Sequence, residues 1–405
     1  MSPPEAIHFI FFLILFTGKH AVGDSLDSDK QILLNLRLFL EQKNRINQGS
    51  YNKWDPRDQS PCTWPGITCS NNRVTGISLP DNDIAGNLYT NFSGLTALSH
   101  LDLSKNTIDG AIPPDLGKCR NLKVLNLSHN IMSGEVNLTG LDSLEVVDLS
   151  VNRISGDIRM SFPVMCSNLV VANLSSNNFT GHVASMDECS KLEYVDLSSN
   201  SLTGNLSFGF GRFKEFSVSE NRLSGDLSGS IFMGICCLEV LDVSENILTG
   251  KIPPEISNCK NLTSLDLSGN KFSGEIPAEI GLLSNLKQLL LGNNSLSREI
   301  PEALLGLKSL DYLDLSRNNF TGDVQAIFGR FTQLKYLLLH ANEYSGGLNS
   351  SGILNLQNIS RLDLSFNKFS GPLPREISQM RGLRYLFLAG NRFSGKIPSE
   401  FGNLT

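Results

Sequence analysis

The chain has 405 residues, 40% of them hydrophobic and 18% charged, with a formal net charge of −6 and a pI near 5.6. An acidic chain without a basic stripe is a poor partner for nucleic acid, whose phosphates require clustered Lys and Arg. The six His include no His-Glu-x-x-His spacing, and neither a metal site nor a cofactor site is expected.

In chain order, the first element is an unbroken apolar run, Phe9 to Phe16, followed by the small residues Ala21-Val22-Gly23. This pattern predicts a cleaved secretory signal over 1–23, with Asp24 opening the mature chain. The run is too short to cross a bilayer. A separate N-terminal unit is expected over 24–72, covering the open edge of a sheet built by the rest of the chain. There Ser28-Asp29-Lys30-Gln31 reads as a capping box, and Ile32, Leu33, Leu36, Phe39 and Leu40 recur at helical spacing, predicting one amphipathic helix to about Lys43. Cys62 and Cys69 flank a Trp-Pro-Gly turn with no further metal ligand nearby, which predicts a disulfide in a secreted chain.

From residue 73 to 405 one frame repeats, Leu-x-x-Leu-x-Leu-x-x-Asn-x-Leu. Its Asn falls at 82, 106, 130, 152, 177, 200, 221, 246, 270, 294, 318, 342, 367 and 391, at intervals of 21 to 25 residues. Such a period predicts an α/β solenoid of about 14 leucine-rich repeats, with a parallel β-sheet on its concave face. Strand alternation sends Val195 and Leu197 into the core and leaves Tyr194, Asp196 and Ser198 facing out. The Asn is expected to bond backbone groups of its own and the next coil. At the ~4.8 Å strand spacing the inner wall would be roughly 60 Å long. The second half of several coils reads Leu/Phe-Ser/Thr-Gly-x-Ile/Leu-Pro, as at Phe272 to Pro277 and Phe393 to Pro398, where Gly permits a turn and Pro ends strand pairing. The stretch 297–301 lacks the Gly, and the coils between Gly134 and Leu227 lack the Pro.

Six further Cys lie just before repeat frames. Cys166 and Cys189 are equivalent positions in adjacent coils, and Cys236 or Cys237 precedes Cys259 by one coil. Bridges between these neighbours or buried free thiols are both open readings, with Cys119 expected as a buried thiol. Sequons at Asn91, Asn126, Asn137, Asn173, Asn178, Asn205, Asn261, Asn293, Asn319, Asn349, Asn358 and Asn403 are candidate glycan sites. Asn126 and Asn173 are expected on the concave wall, where a glycan would block the early repeats.

Two features of that wall bear on binding. Asp102, Asp148, Asp196, Asp242, Asp266, Asp314 and Asp363 form an outward row, read either as solvation of the repeat or as a track for a basic peptide. Leu290, Leu338 and Phe387 break the row, and Tyr312, Tyr336, His340, Phe366 and Tyr385 are expected to face outward around them. Exposed aromatic and apolar residues together are the usual composition of a ligand-binding hot spot; stacking along the sheet is the alternative.

The opening Asp24 to Asp29, the Cys62-to-Cys69 segment and the Ser-Gly-x-Ile-Pro coils together resemble the ectodomain of the plant leucine-rich-repeat receptor-like serine/threonine kinases. Within them the start is most like the nematode-induced type related to the brassinosteroid-receptor group. The resemblance implies a plant-type superhelix that binds a peptide, protein or small-molecule extracellular ligand, with a co-receptor kinase of similar build as a further partner. It also implies more repeats, a membrane helix and a cytosolic kinase beyond Gly402-Asn403-Leu404-Thr405, placing the whole protein at the plasma membrane. The chain itself carries no His-Arg-Asp, Asp-Phe-Gly or Val-Ala-Ile-Lys motif, so no catalytic residue is assigned. No interval leaves room for a brassinosteroid-type insertion. A free-standing secreted protein of the polygalacturonase-inhibitor type is the alternative, disfavoured by the lack of a terminal capping unit.

Overall fold

The computed structural model describes residues 25–44, 49–161, 166–183, 186–206, 209–348 and 350–403. The expected signal 1–23 and the sequon Asn349 lie outside them.

The N-terminal unit opens with α1 (Leu26–Lys43), which buries Leu33, Leu36 and Leu40. Its cap differs from the expected one. Ser25, not Ser28, is the N-cap, its hydroxyl accepting from the Ser28 N–H at 3.2 Å. Asp29 is thereby drawn inside the helix and fully buried, where it accepts from Arg73 Nε and Nη2 at 2.9 and 3.0 Å and from the Val74 N–H at 2.8 Å. Trp54 and Trp64 stack with centroids 5.7 Å apart, and the Trp54 Nε1–H donates to the Pro65 carbonyl. Cys62 and Cys69 are disulfide-bonded. The bridge holds β1 (Ile67–Ser70), which pairs antiparallel with β2 (Arg73–Ser78).

From β2 onward the inner sheet is parallel, adding one short strand per coil in sequence order, to a total of 15 strands ending at Tyr385–Phe387. Most strands have three residues because only the middle one, such as Leu265 or Leu337, faces the core. The Asn after each strand ties neighbouring coils. Asn270 Nδ2 donates to the carbonyls of Leu267 and Ser268 in its own coil and Val243 in the coil before, while its Oδ1 accepts from the Leu248 N–H. The same pattern recurs from Asn106 to Asn391. The bridge thus runs to the preceding coil. Asn82 departs from it, its Oδ1 accepting from Ser50 N–H and hydroxyl of the N-terminal unit.

Beyond each ladder turn the chain forms a second, outer set of short parallel strands. Among the described residues these fall into one pair and four blocks of three, and backbone bonds such as Ser133 N–H to the Gly110 carbonyl and Ser273 N–H to the Gly250 carbonyl, both at 2.8 Å, lead from one block to the next. Inside coils eleven to fourteen Phe320, Tyr344, Phe369 and Phe393 stack ring on ring at 6.2 to 6.4 Å. Disulfides join Cys166 to Cys189 and Cys236 to Cys259, each across adjacent coils. Cys237 stays free and half-buried. Cys119 is a buried free thiol, its pKa pushed up to about 12 by burial and then by the Asp115 charge.

Candidate ligand-binding face

The inner strands of coils ten to fourteen pair in register, so their outward residues form columns. One column runs Gln288, Tyr312, Tyr336, Arg361, Tyr385, and the next Leu290, Asp314, Leu338, Asp363, Phe387. The Tyr312 and Tyr336 rings lie 5.1 Å apart, and Tyr336, Tyr385 and Phe387 are exposed. Burial, then the nearby Asp314 charge, raises the Tyr312 hydroxyl above its ordinary pKa. Stacking and exposure therefore coexist on this wall.

Three candidates sit differently from their expected places. Leu338 is only 8% exposed, between Asp314 and Asp363 of the strands on either side. It contributes packing rather than contact surface. Phe366 is not on the strand pleat. It follows the strand Arg361–Asp363 in a left-handed turn, φ 54°, and its ring lies over Gly390 of the next coil, leaving it 64% exposed. His340 is half-buried, with Nδ1 3.5 Å from Asp363 Oδ2. Leu290 is half-buried at the edge of the patch.

Arg361 belongs to the same patch, although it is not one of the aromatic departures from the repeat. Its guanidinium lies over the Phe387 ring, 5.1 Å from the centroid, and its buried Nε has no hydrogen-bond partner. Its signal in the sequence is a cation standing between two Tyr of one outward column.

The acidic row has a local explanation. The Oδ1 of Asp148, Asp196, Asp242, Asp266 and Asp363 accepts both the N–H and the hydroxyl of the Ser two residues later. Asp102 and Asp314 accept the N–H alone. Each closes the turn that ends its strand. Asn126 and Asn173 make the same bonds to Ser128 and Ser175 and do lie on the concave wall. Asp266 stands out, its carboxyl pushed up to about 6, chiefly by burial.

No group of metal ligands occurs among the described residues, and none of their helices is long and apolar enough to cross a membrane.

Residues 26–70 match the leucine rich repeat N-terminal domain, and leucine rich repeat models match 72–132, 191–213, 238–278, 285–307, 309–331, 358–380 and 382–404. The chain is 57% identical over 264 residues to the Arabidopsis thaliana "Probable LRR receptor-like serine/threonine-protein kinase At1g74360", covering 64% of this chain and 24% of that one. It thus spans about a quarter of that relative's length. Among solved structures it resembles the plant peptide hormone receptor RGFR1 in complex with RGF2, at a TM-score of 0.75 and 36% identity over 81% of this chain and 53% of that one. It also resembles the Arabidopsis receptor kinase HAESA in complex with the peptide hormone IDA and the co-receptor SERK1, at a TM-score of 0.68 and 29% identity over 81% and 55%. The chain is built of a leucine-rich-repeat N-terminal domain followed by leucine-rich repeats, and over these it is similar to plant leucine-rich-repeat receptor-like serine/threonine kinases.

Proposed function

We propose that this chain is the extracellular ligand-recognition module of a plasma-membrane receptor-like kinase acting in defence or developmental signalling, and that it takes a peptide along coils ten to fourteen. The observation that carries the reading is the exposed set Tyr336, Tyr385 and Phe387 around Arg361 on a rigid inner sheet. Rigid aromatic side chains with an adjacent Arg supply large contact area at low ordering cost. The peptide complexes of RGFR1 and HAESA support the ligand class, and SERK1 beside HAESA supports a co-receptor of similar build. The carboxylates of the early coils are occupied closing their own turns, which leaves them little to offer a ligand.

The test is a screen of synthetic secreted-peptide sequences against the immobilised chain. Binders should lose about 2–4 kcal/mol of affinity in the Tyr336→Ala/Phe387→Ala variant. They should be indifferent to Asp102→Ala/Asp148→Ala. Neither aromatic side chain is in the core, so secretion should not change. Binders insensitive to the aromatic pair, or lost with the two Asp, would move the site.

A further inference from the structure

A groove of about 830 Å³ lies away from the inner wall, on the flank where coils eight to ten carry their Ile-Pro segments, and reaches Thr321 of coil eleven. That volume falls within the ~300–1,000 Å³ of small-ligand sites. Its accessible apolar lining includes Pro254, Pro277 and Ile300, and its rim mixes Lys251 and Arg298 with the carboxylates of Glu275 and Glu299.

Arg298 is the anomaly of this flank. Its φ is +77°, the left-handed conformation that Gly250, Gly274 and Gly322 supply at the same point of the neighbouring coils. An L side chain is disfavoured there. In those neighbours the side chain of the preceding coil lies over the open glycine. An added Cβ at Gly274 would stand 3.3 Å from Lys251, and one at Gly322 would stand 2.8 Å from Glu299. At coil ten the chain instead carries Arg298, which lines the groove together with Glu275.

The far end of the groove is Thr321, the hydroxyl residue of the sequon Asn319-Phe320-Thr321. Arg298 and Phe320 are partners in adjacent outer strands, as are Ser297 and Asn319. Phe320 is buried, whereas Asn319 and Thr321 on either side of it are both exposed.

We propose that this groove seats the N-linked oligosaccharide of Asn319. The lining suits that occupant. Mixed charges favour a neutral chain over an anionic or cationic one, and guanidinium donors and carboxylate acceptors along one groove suit the hydroxyls of a sugar. The accessible Ile and Pro surface takes the apolar face of a sugar ring. The glycan continues from Asn319, two residues from the groove's end, so no separate molecule is required. Arg298 then gives up glycine's conformational ease to hold the sugar. The proposal is independent of the inner-wall reading.

The secreted protein, made in a host restricted to oligomannose glycans, is digested natively with an endoglycosidase and followed site by site by peptide mass spectrometry. A glycan seated nine-tenths of the time presents its core one-tenth of the time, so release at Asn319 should be about tenfold slower than at the other occupied sequons. Arg298→Gly, which restores the residue of the neighbouring coils, should abolish the difference while the melting temperature stays equal or rises. An unoccupied Asn319, release at the common rate, or slow release that persists in Arg298→Gly would each overturn the proposal.

Discussion

At the scale of single residues, the outward Asp of each inner strand illustrates how one side chain is read twice. Its spacing was legible in the sequence, because the repeat places it between two inner Leu. Its role was not, since the Asp-x-Ser bond is local geometry that a charge count ignores. Asn126 and Asn173 fill the same position with the same bonds, so the turn needs an oxygen acceptor and not a charge. Asp266 tests this directly. Its folded pKa, about 6, exceeds the ordinary value of 3.8, so the protonated form is favoured in the fold and ionisation costs stability. That cost is absent below about pH 4, grows through the interval to about pH 6, and is complete above it. Asp266→Asn keeps the acceptor and removes the charge. Discounting for partial exposure, it should stabilise the fold by about 1–2 kcal/mol at pH 7. The gain should vanish at about pH 3.5. Urea unfolding at the two pH values checks it, and an equal gain at both would locate the effect outside the ionisation.

At the scale of elements, the ladder Asn and the inner Leu made the strands predictable one by one, down to which neighbours face out. The elements that escaped were those set by tertiary contact. The N-terminal helix looked as if it began at a Ser-Asp-Lys-Gln box, because local capping chemistry is satisfied by either Ser25 or Ser28. The choice is made by Asp29, which must lie inside the helix to reach Arg73 and Val74 some 44 residues away. This carboxylate links α1 to the first parallel strand, and its removal takes two hydrogen bonds from Arg73 and leaves the Val74 N–H unmet. Asp29→Ala is therefore expected to cost about 3–5 kcal/mol, the range for breaking a buried pair from one side. The loss should appear as earlier hydrogen exchange in β2, with the late coils unaffected. Exchange rates unchanged in β2 would show that the helix is held by its apolar face alone. Phe366 escaped for a related reason. Period-two alternation ends with the strand, and the left-handed turn after it re-aims the ring over Gly390.

At the scale of the whole molecule, architecture was the most legible property and the binding patch the least, since Leu338 and Arg361 exchanged their expected importance only once neighbouring strands were in register. A solenoid is stabilised by each coil and its nearest neighbours, so local losses stay local. The coils between Gly134 and Leu227 lack the Pro found in coils eight to ten, and the Cys166–Cys189 bridge falls among them. Closing a 23-residue loop should contribute about 3 kcal/mol by the chain-entropy account. Replacing both Cys by Ser should raise hydrogen exchange in coils five and six and leave coils ten to twelve at parental rates. A uniform rise along the chain would mean that the array unfolds as one unit. The outer strands carry a last implication. Four of their blocks begin in the coil after the previous one stops, and backbone hydrogen bonds cross each of these gaps, from the N–H groups of Ser133, Thr203, Ser273 and Ser345 to the carbonyls of Gly110, Gly181, Gly250 and Gly322. Mechanically this is a beam bonded along both edges. Its curvature is then fixed from two sides, so the columns from Tyr312 to Tyr385 should keep their spacing when the solenoid is loaded.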